Sequence, residues 1–223
     1  TNQARVALWG FLFVSPWLLG LLVFVGGPLI ASLLLAFTDY NLLKSPEFIG
    51  LGNFRLAFGG EDKLFWPSLG KTFYFALIYV PIVVIGSLLL AILLNQRMAA
   101  TTVFRTIFFL PHLTPAVALA VLWFWILHPQ LGPVSQILGR LGLPQPGWLT
   151  SAKWAVPALI IMGLWAGLGG NRMLIYLAGL QGVPKELYEA SEIDGAGTWA
   201  KFRHVTLPMI SPVIFFNFIM GVI

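Results

Sequence analysis

Five long stretches without a charged side chain divide this sequence of 223 residues. A charged side chain at the centre of a bilayer costs about 2.5–3.5 kcal/mol, and a helix needs roughly 17–25 apolar residues to cross the hydrocarbon core. The uncharged stretches cover residues 6–38, 72–96, 106–139, 154–171 and 205–223. We therefore predict an all-α, polytopic transmembrane bundle in one domain, residues 1–223, with spans at about 7–37, 72–95, 106–127, 154–178 and 206–223.

The composition excludes several classes of protein. Only 9% of the residues are charged and 58% are hydrophobic, whereas an ordinary soluble domain carries about 25% charged residues. The 13 lysines and arginines are scattered singly instead of forming a basic patch, which argues against nucleic-acid binding. The chain has no cysteine, so disulfides and thiolate chemistry are excluded. Because it lacks an initiator Met and stops inside an apolar run, we expect the protein to continue beyond both ends.

The charges of the loops orient the spans only weakly. Our assignment gives six Lys and Arg residues to each side, so the overall count does not decide the orientation. The short loop at 95–105 contains Arg97 and Arg105 and no acid, which favours the cytoplasm for this loop, for the N-terminus and for residues 181–205. Residues 39–71 and 128–153 are then predicted to be ordered extracytoplasmic loops.

Motifs for catalysis or nucleotide binding are incomplete. Gly70-Lys71-Thr72 resembles the end of a P-loop, but Phe65 stands where the leading glycine is needed. Residues 195–200 fit G-x-G-x-x-A, but an acidic helical stretch precedes them instead of a buried strand. The three histidines are far apart in the sequence, and the predicted spans contain no Asp or Glu. We therefore predict no catalytic residue, no metal site and no cofactor bound by this chain.

A few polar and aromatic residues within the spans have two interpretations each. Arg172 belongs to the substrate pathway, or it snorkels to the cytoplasmic interface, which we favour if one helix runs from 154 to about 177. Trp123 and Trp125 stack on a sugar ring, or they form an interfacial aromatic belt. His112, between two prolines, faces a pore, or it bonds a freed carbonyl, which is the favoured interpretation. Gly163 predicts close helix packing with its G-x-x-x-G partner at 167.

The connection between the fourth and fifth predicted spans is too long for a simple turn. Such connections need roughly 2–8 residues, whereas about 25 are used here. Residues 185–194 form an amphipathic helical pattern, Gly195 and Gly197 end it, and a second turn containing Trp199 precedes Leu207-Pro208 at the start of the next span. A helix, an elbow and a second helix outside the membrane predict a docking surface.

This connection also carries a family pattern. The membrane-spanning permease subunits of bacterial ABC importers share E-A-A, three residues, G, nine residues and I-x-L-P. The sequence matches every spacing with Glu189-Ala190-Ser191, Gly195 and Val205-Thr206-Leu207-Pro208, with Ser for the second Ala and Val for Ile. The chain resembles this family, and within it the carbohydrate permeases of the maltose and glycerol-phosphate type, which residues 28–54 and 177–184 also resemble.

The resemblance implies a MetI-like fold with a sixth span after the fifth, in the bacterial inner membrane. It implies a transport subunit, not an enzyme, that works with a second permease subunit, two ATP-binding subunits holding ATP and Mg²⁺, and an extracytoplasmic binding protein that delivers a sugar or related polar solute. The coupling loop, residues 181–205, would dock on the ATPases. The residues implied for this contact are Glu186, Glu189, Ala190, Ser191, Asp194, Gly195, Gly197, Leu207 and Pro208.

Two other functions fit the composition. A secondary sugar carrier is consistent with neutral spans broken by prolines, and it would work alone under an ion gradient. A polytopic enzyme acting on a lipid-linked substrate would need a convergent constellation of acid, base or metal ligands, which the spans lack.

Overall fold

The computed structural model describes residues 2–96 and 100–223, so Arg97 lies outside the described residues. The chain divides into two compact units, Thr1–Gly70 and Lys71–Ile223. Three helices are long and apolar enough to cross a membrane, and two bent helix pairs raise the number to five, as the sequence predicted. The three continuous segments are Arg5–Leu35, Phe65–Asn95 and Thr198–Val222.

The first unit begins with a long apolar helix. Helices α1 (Asn2–Leu21) and α2 (Gly27–Leu35) are joined by a π-helical turn at Leu22–Gly26. Pro28 explains the turn, because proline lacks an N–H and its ring displaces the carbonyl one turn earlier, which a π turn accommodates. No side chain of the most apolar 18-residue window of this described span is buried within the protein.

A short hairpin and a helix follow the first span. Strand β1 (Thr38–Asp39) pairs antiparallel with β2 (Glu47–Phe48), and helix α3 covers Gly52–Phe58. The Asn53 side chain donates hydrogen bonds to the carbonyl oxygens of Ala36, at 3.0 Å, and Thr38, at 2.9 Å. The predicted loop 39–71 is therefore ordered, although its last residues already belong to the next helix.

The third predicted span, 106–127, is not a single straight helix. Helix α4 covers Phe65–Asn95, and α5 (Thr101–Leu113) and α6 (Ala116–Ile126) meet at 94°. Thr114, before Pro115, has extended backbone angles of −72° and 130°, because a residue preceding proline is driven out of the helical region. Helix α7 (Pro133–Arg140) lies in the loop that follows.

The fourth predicted span, 154–178, is also interrupted. Helices α8 (Ala155–Gly167) and α9 (Asn171–Gln181) are bent by 46° at Leu168–Gly170. As the G-x-x-x-G spacing predicted, α8 approaches α4 closely: a Cβ on Gly163 would lie 2.9 Å from the Tyr79 ring, and one on Gly167 would lie 2.8 Å from its hydroxyl.

The core of the second unit joins α4, α9 and the last helix. The remaining elements are α10 (Lys185–Ile193), α11 (Thr198–Lys201), a π-helical turn at Phe202–Thr206 and α12 (Leu207–Val222). The buried positions on α9 recur at intervals of three and four, which gives one apolar face. The core side chains are Leu88, Ala91 and Leu94 of α4, Met173, Tyr176, Leu177 and Leu180 of α9, Val183, and Ile210 of α12.

Candidate functional site

The coupling loop presents its acidic side chains to solvent. Helix α10 begins after Pro184, whose fixed φ of −59° is compatible with a helix start. Its first turn contains Glu186, as the dipole of a helix favours. Glu186, Glu189 and Asp194 are all exposed, and the small side chain of Ala190 between them allows a partner to approach the helix closely. This surface can accept a partner that carries basic side chains.

The elbow of the coupling loop is a Schellman cap. Gly195 has a φ of +77°, in the left-handed region that favours glycine. Its N–H donates to the Glu192 carbonyl at 3.0 Å, and the Ala196 N–H donates to the Ser191 carbonyl at 2.9 Å. These two bonds satisfy the last carbonyl groups of α10. The predicted break at Gly195 is confirmed, and it turns the chain sharply towards α11.

Two large apolar side chains flank the elbow. Ile193 is 88% exposed and Trp199 is 70% exposed. The Trp199 ring packs on Phe202 with centroids 5.5 Å apart, so one of its faces is supported while the rest stays open. Large exposed apolar side chains mark a protein-interaction surface where they lie outside the hydrocarbon core of the membrane.

Tyr188 ties helix α10 to the core of the second unit. The ring of Tyr188 packs against the α4–α9–α12 core, and its hydroxyl forms a 2.9 Å hydrogen bond with the Thr206 hydroxyl. The Ser191 hydroxyl donates to the Tyr188 carbonyl at 2.7 Å, and an exposed ion pair joins Lys201 to Glu192 at 2.7 Å. Helix α10 is therefore held to the base of α12 and not only through the backbone.

Helix α12 begins at Leu207, where the sequence predicted the start of the next span, and the second half of the coupling loop is continuous with it. Residues Thr198–Val222 form one helical segment. The π turn at Phe202–Thr206 directly precedes Pro208, as the first π turn precedes Pro28, and it accommodates the proline without ending the helix.

A cavity of about 250 Å³ lies where the two interrupted helices meet α12. Most of its lining is apolar, and we call it the polar cavity for its four polar residues, His112, Asn171, Arg172 and Asn217. Arg172, in the first turn of α9, lines it and donates from Nη2 to the Met220 carbonyl at 3.0 Å. The helix from 154 to about 177, on which the snorkelling interpretation depended, is interrupted at Leu168–Gly170, and both interpretations of Arg172 stay predictions. Arg172 lies about 14 Å along α9 from Gln181, roughly half the thickness of the hydrocarbon core.

His112 and Asn217 line the same cavity. The His112 ring stacks beside Phe109 and lies so close to Gly170 that a Cβ there would be 3.0 Å from Nδ1. The Thr114 N–H and hydroxyl bond the carbonyls of Pro111 and Leu110, and both interpretations of His112 stay predictions. Asn217 is fully buried, and its Oδ1 has no hydrogen-bond partner.

The described residues, 2–96 and 100–223, contain no group of three metal-ligating side chains. The arrangement consists of hydrogen-bond donors and acceptors around a space, together with a loop exposed for docking.

Comparison with known proteins identifies the family. Residues 83–223 match the model of the binding-protein-dependent transport system inner membrane component. A probable ABC transporter permease protein, YesP of Bacillus subtilis, is 38% identical over 216 residues, covering 96% of this chain and 69% of that protein. The lactose transport system permease protein LacF of Rhizobium radiobacter is 36% identical over 218 residues, covering 96% and 71%. The chain belongs to this family.

The fold of this permease also matches a solved importer. A chain of a bacterial ABC transporter involved in the import of the acidic polysaccharide alginate superposes with a TM-score of 0.82 at 25% identity, over 99% of the permease and 74% of that chain. The permease is therefore a multi-pass inner-membrane transport subunit of an ABC importer. The family excludes the secondary carrier and the lipid-directed enzyme as its function.

The predicted site residues of the permease fall into separate places. Of the three residues assigned to a substrate pathway, only Arg172 lines the polar cavity. Trp123 is 9% exposed and packs edge-to-face on Trp165 at 6.2 Å, inside an apolar cluster. Trp125, on the same helix, is 56% exposed. Sugar stacking on these two rings stays a prediction.

Sequence reasoning singled out neither Tyr188 nor Asn217, and it favoured a structural role for His112. The Tyr188 hydroxyl links α10 to Thr206, the residue before α12. Asn217 is the single amide in the apolar run of the last span, and this isolation was a usable signal. His112 was considered and set aside. Only the packing of α5, α9 and α12 reveals that these last two share a cavity with Arg172.

Proposed function

We propose that this permease pairs with a second permease subunit and docks on two ATP-binding subunits through its coupling loop, to import a sugar that a binding protein delivers. The observation that carries the proposal is the capped helix–elbow–helix outside the spans, with Ile193 and Trp199 exposed beside an acidic surface. Large apolar side chains surrounded by charges are typical anchors of protein interfaces. ATP and Mg²⁺ are bound by the partner ATPases.

The contact residues follow from the loop. Glu186, Glu189 and Asp194 provide charge, and Ala190 and Gly197 leave room for close approach. Ser191 holds α10 together through the Tyr188 carbonyl, and Gly195 turns the chain. Leu207 and Pro208 lie in the helix that leads from the loop into the last span, so they carry movement instead of contact.

The proposal that the solute is a sugar rests on the names of the relatives and on the lining of the polar cavity. LacF is a lactose permease by name, and the superposed transporter imports alginate. A cavity lined by Arg172, His112, Asn171 and Asn217 offers the hydrogen-bonding groups that a hydroxylated solute needs within the spans. The predicted extracytoplasmic loops, 39–71 and 128–153, would receive the binding protein.

Docking is tested by co-purification of the ATP-binding subunits with the permease from cells that express the whole transporter. Ile193→Asp and Trp199→Ala should lower ATPase recovery by about tenfold or more, since anchor residues contribute about 2 kcal/mol or more. Glu189→Lys and Gly195→Asp should leave the permease inserted but abolish transport. Ile137→Asp places the same charge on a residue that is also exposed, in the predicted extracytoplasmic loop, and should keep the ATPase bound.

The side of the membrane is tested separately. Because the sequence contains no cysteine, Thr198→Cys and Gln136→Cys create single labelling sites without background. A membrane-impermeant maleimide should label Gln136→Cys in spheroplasts and Thr198→Cys only after the membrane is opened. Labelling of Thr198→Cys in intact spheroplasts, or normal ATPase recovery with Ile193→Asp and Trp199→Ala, would refute the proposed docking.

A further inference from the structure

The sequence places no carboxylate close to Arg172. All eight acids of the chain lie at residues 39–62 and 186–194, so residues 63–185 and 195–223 contain none. An unpaired guanidinium within a membrane span is costly, because few polar groups replace its hydration. The one carbonyl that it bonds, on Met220, is neutral and occupies a single N–H of the five.

The cavity adds further donors on the same side as Arg172. Helix α9 starts at Asn171, and no side chain caps its start. The Met173 N–H donates to the Gly170 carbonyl at 3.1 Å, so the N–H groups of Asn171 and Arg172 are the ones without a partner within the helix, at the positive end of its dipole. The Arg172 Nε–H is buried without a partner, and the His112 ring lies across Gly170. Guanidinium and helix N-terminus together favour an anion over a neutral group.

Helix α12 contributes an acceptor, Asn217, to the lining of the cavity. The Asn217 side chain donates from Nδ2 to the Val213 carbonyl at 3.0 Å, which fixes the amide orientation and leaves Oδ1 buried and unpartnered. A buried acceptor without a partner costs about 1–3 kcal/mol, which a ligand donor would recover on reaching this atom. A solute hydroxyl is such a donor.

We propose that this cavity binds an acidic saccharide in transit, with its carboxylate or phosphate ester on Arg172 and the start of α9, and a hydroxyl on Asn217. The inference rests on the proposed import function and names its substrate class. The juxtaposition of anion-binding donors with one hydroxyl acceptor distinguishes this chemistry from that of a neutral sugar, which leaves the guanidinium uncompensated.

Two matched pairs of ligands test the proposal on the whole transporter in lipid nanodiscs, by calorimetric titration. The pairs are galacturonate with its methyl ester, and glucose 6-phosphate with glucose. The wild type should bind at least one anionic probe about tenfold more tightly than its neutral counterpart, because a charge-assisted bidentate contact is lost in the neutral one. Which pair discriminates identifies the anionic group as carboxylate or phosphate.

Three variants separate the roles of the residues. Arg172→Gln should bind both members of a pair equally, whereas Arg172→Lys should retain part of the preference. Asn217→Leu should weaken both members to a similar extent, since each offers the hydroxyl. Binding of the neutral member shows that a variant is folded, and the wild-type pairs alone decide the question if a variant does not assemble.

The outcomes distinguish this inference from the import function. Stimulation of ATP hydrolysis by the binding protein is measured on the same nanodiscs. Stimulation without discrimination between the members of both pairs, failure of both anionic probes to bind, or unchanged discrimination in Arg172→Gln would overturn the inference and leave the import function standing. Equal binding would mean that another subunit supplies the counterion for Arg172. Absence of stimulation in the wild type would contradict the import function itself.

Discussion

The hydroxyl–hydroxyl bond between Tyr188 and Thr206 can be removed without changing the shape of either side chain much. Tyr188→Phe deletes one oxygen and keeps the ring against the core. The Thr206 hydroxyl, which is buried, would retain only a 3.5 Å contact to the Lys201 carbonyl, at the long limit of a hydrogen bond. We expect the first coupling helix to separate from α12 more readily.

The expected magnitude follows from one buried hydrogen bond. A net contribution of about 1 kcal/mol is typical, and the unsatisfied Thr206 hydroxyl raises the loss to about 1–2 kcal/mol. Thr206→Val should cost a similar amount, and the double variant should cost about 0.5–1.5 kcal/mol less than the sum of the two single changes, because the bond can be lost only once.

The assay is unfolding of the purified permease in bicelles by SDS titration, together with ATP hydrolysis stimulated by the binding protein in the whole transporter. The stimulated rate should fall in Tyr188→Phe, since α10 transmits less of its displacement to α12. Tyr74→Phe, at an exposed tyrosine of α4, is the matched control and should change stability by less than about 0.5 kcal/mol. Strict additivity of Tyr188→Phe and Thr206→Val would refute the reasoning.

Two glycine substitutions test the backbone at the helix break and at the elbow. Gly169→Ala would place its Cβ against the Phe108 carbonyl oxygen, which is backbone and cannot rotate away, so we expect a loss of about 1–3 kcal/mol or more in SDS unfolding. Gly195→Ala should cost about 1–2 kcal/mol at a φ of +77° and reduce ATPase co-purification. Gly70→Ala, where a Cβ meets nothing within 4 Å, is the control for both, and equal stability of all three variants would contradict these expectations.

The number of spans and the place of the coupling loop could be predicted because they depend on local features. Absence of charge over 18 or more residues is sufficient to mark a span, and Gly195 ends α10 through its own backbone conformation. The start of α12 at Leu207 was predicted, whereas the unbroken helical segment from Thr198 into α12 was not, since Pro208 is a helix breaker in most contexts. The π turn at Phe202–Thr206 that absorbs it has no recognised sequence signature here.

The polar cavity could not be predicted because its residues are far apart in sequence. His112, Arg172 and Asn217 come from α5, α9 and α12, and two sharp changes of direction bring them together. Pro115 is a sequence signal for the first change of direction, between α5 and α6. The bend at Leu168–Gly170 depends instead on Gly169 lying against the backbone of α5. Close backbone contact of this kind is a tertiary property, which hydrophobic periodicity does not encode.

The hydrogen bond from Arg172 to Met220 connects α9 and α12 at a second point, away from the coupling loop. Helix α9 precedes the coupling loop and α12 follows it. Tyr188 contacts the helices next to the loop through its bond to Thr206, and Arg172 connects α9 to α12 within the spans. Two helices that are connected at both ends are expected to tilt together instead of separating. Displacement of the coupling loop by the ATP-binding subunits would therefore reach Arg172 as a joint rotation of α9 and α12. An anion bound to the guanidinium would move with these helices.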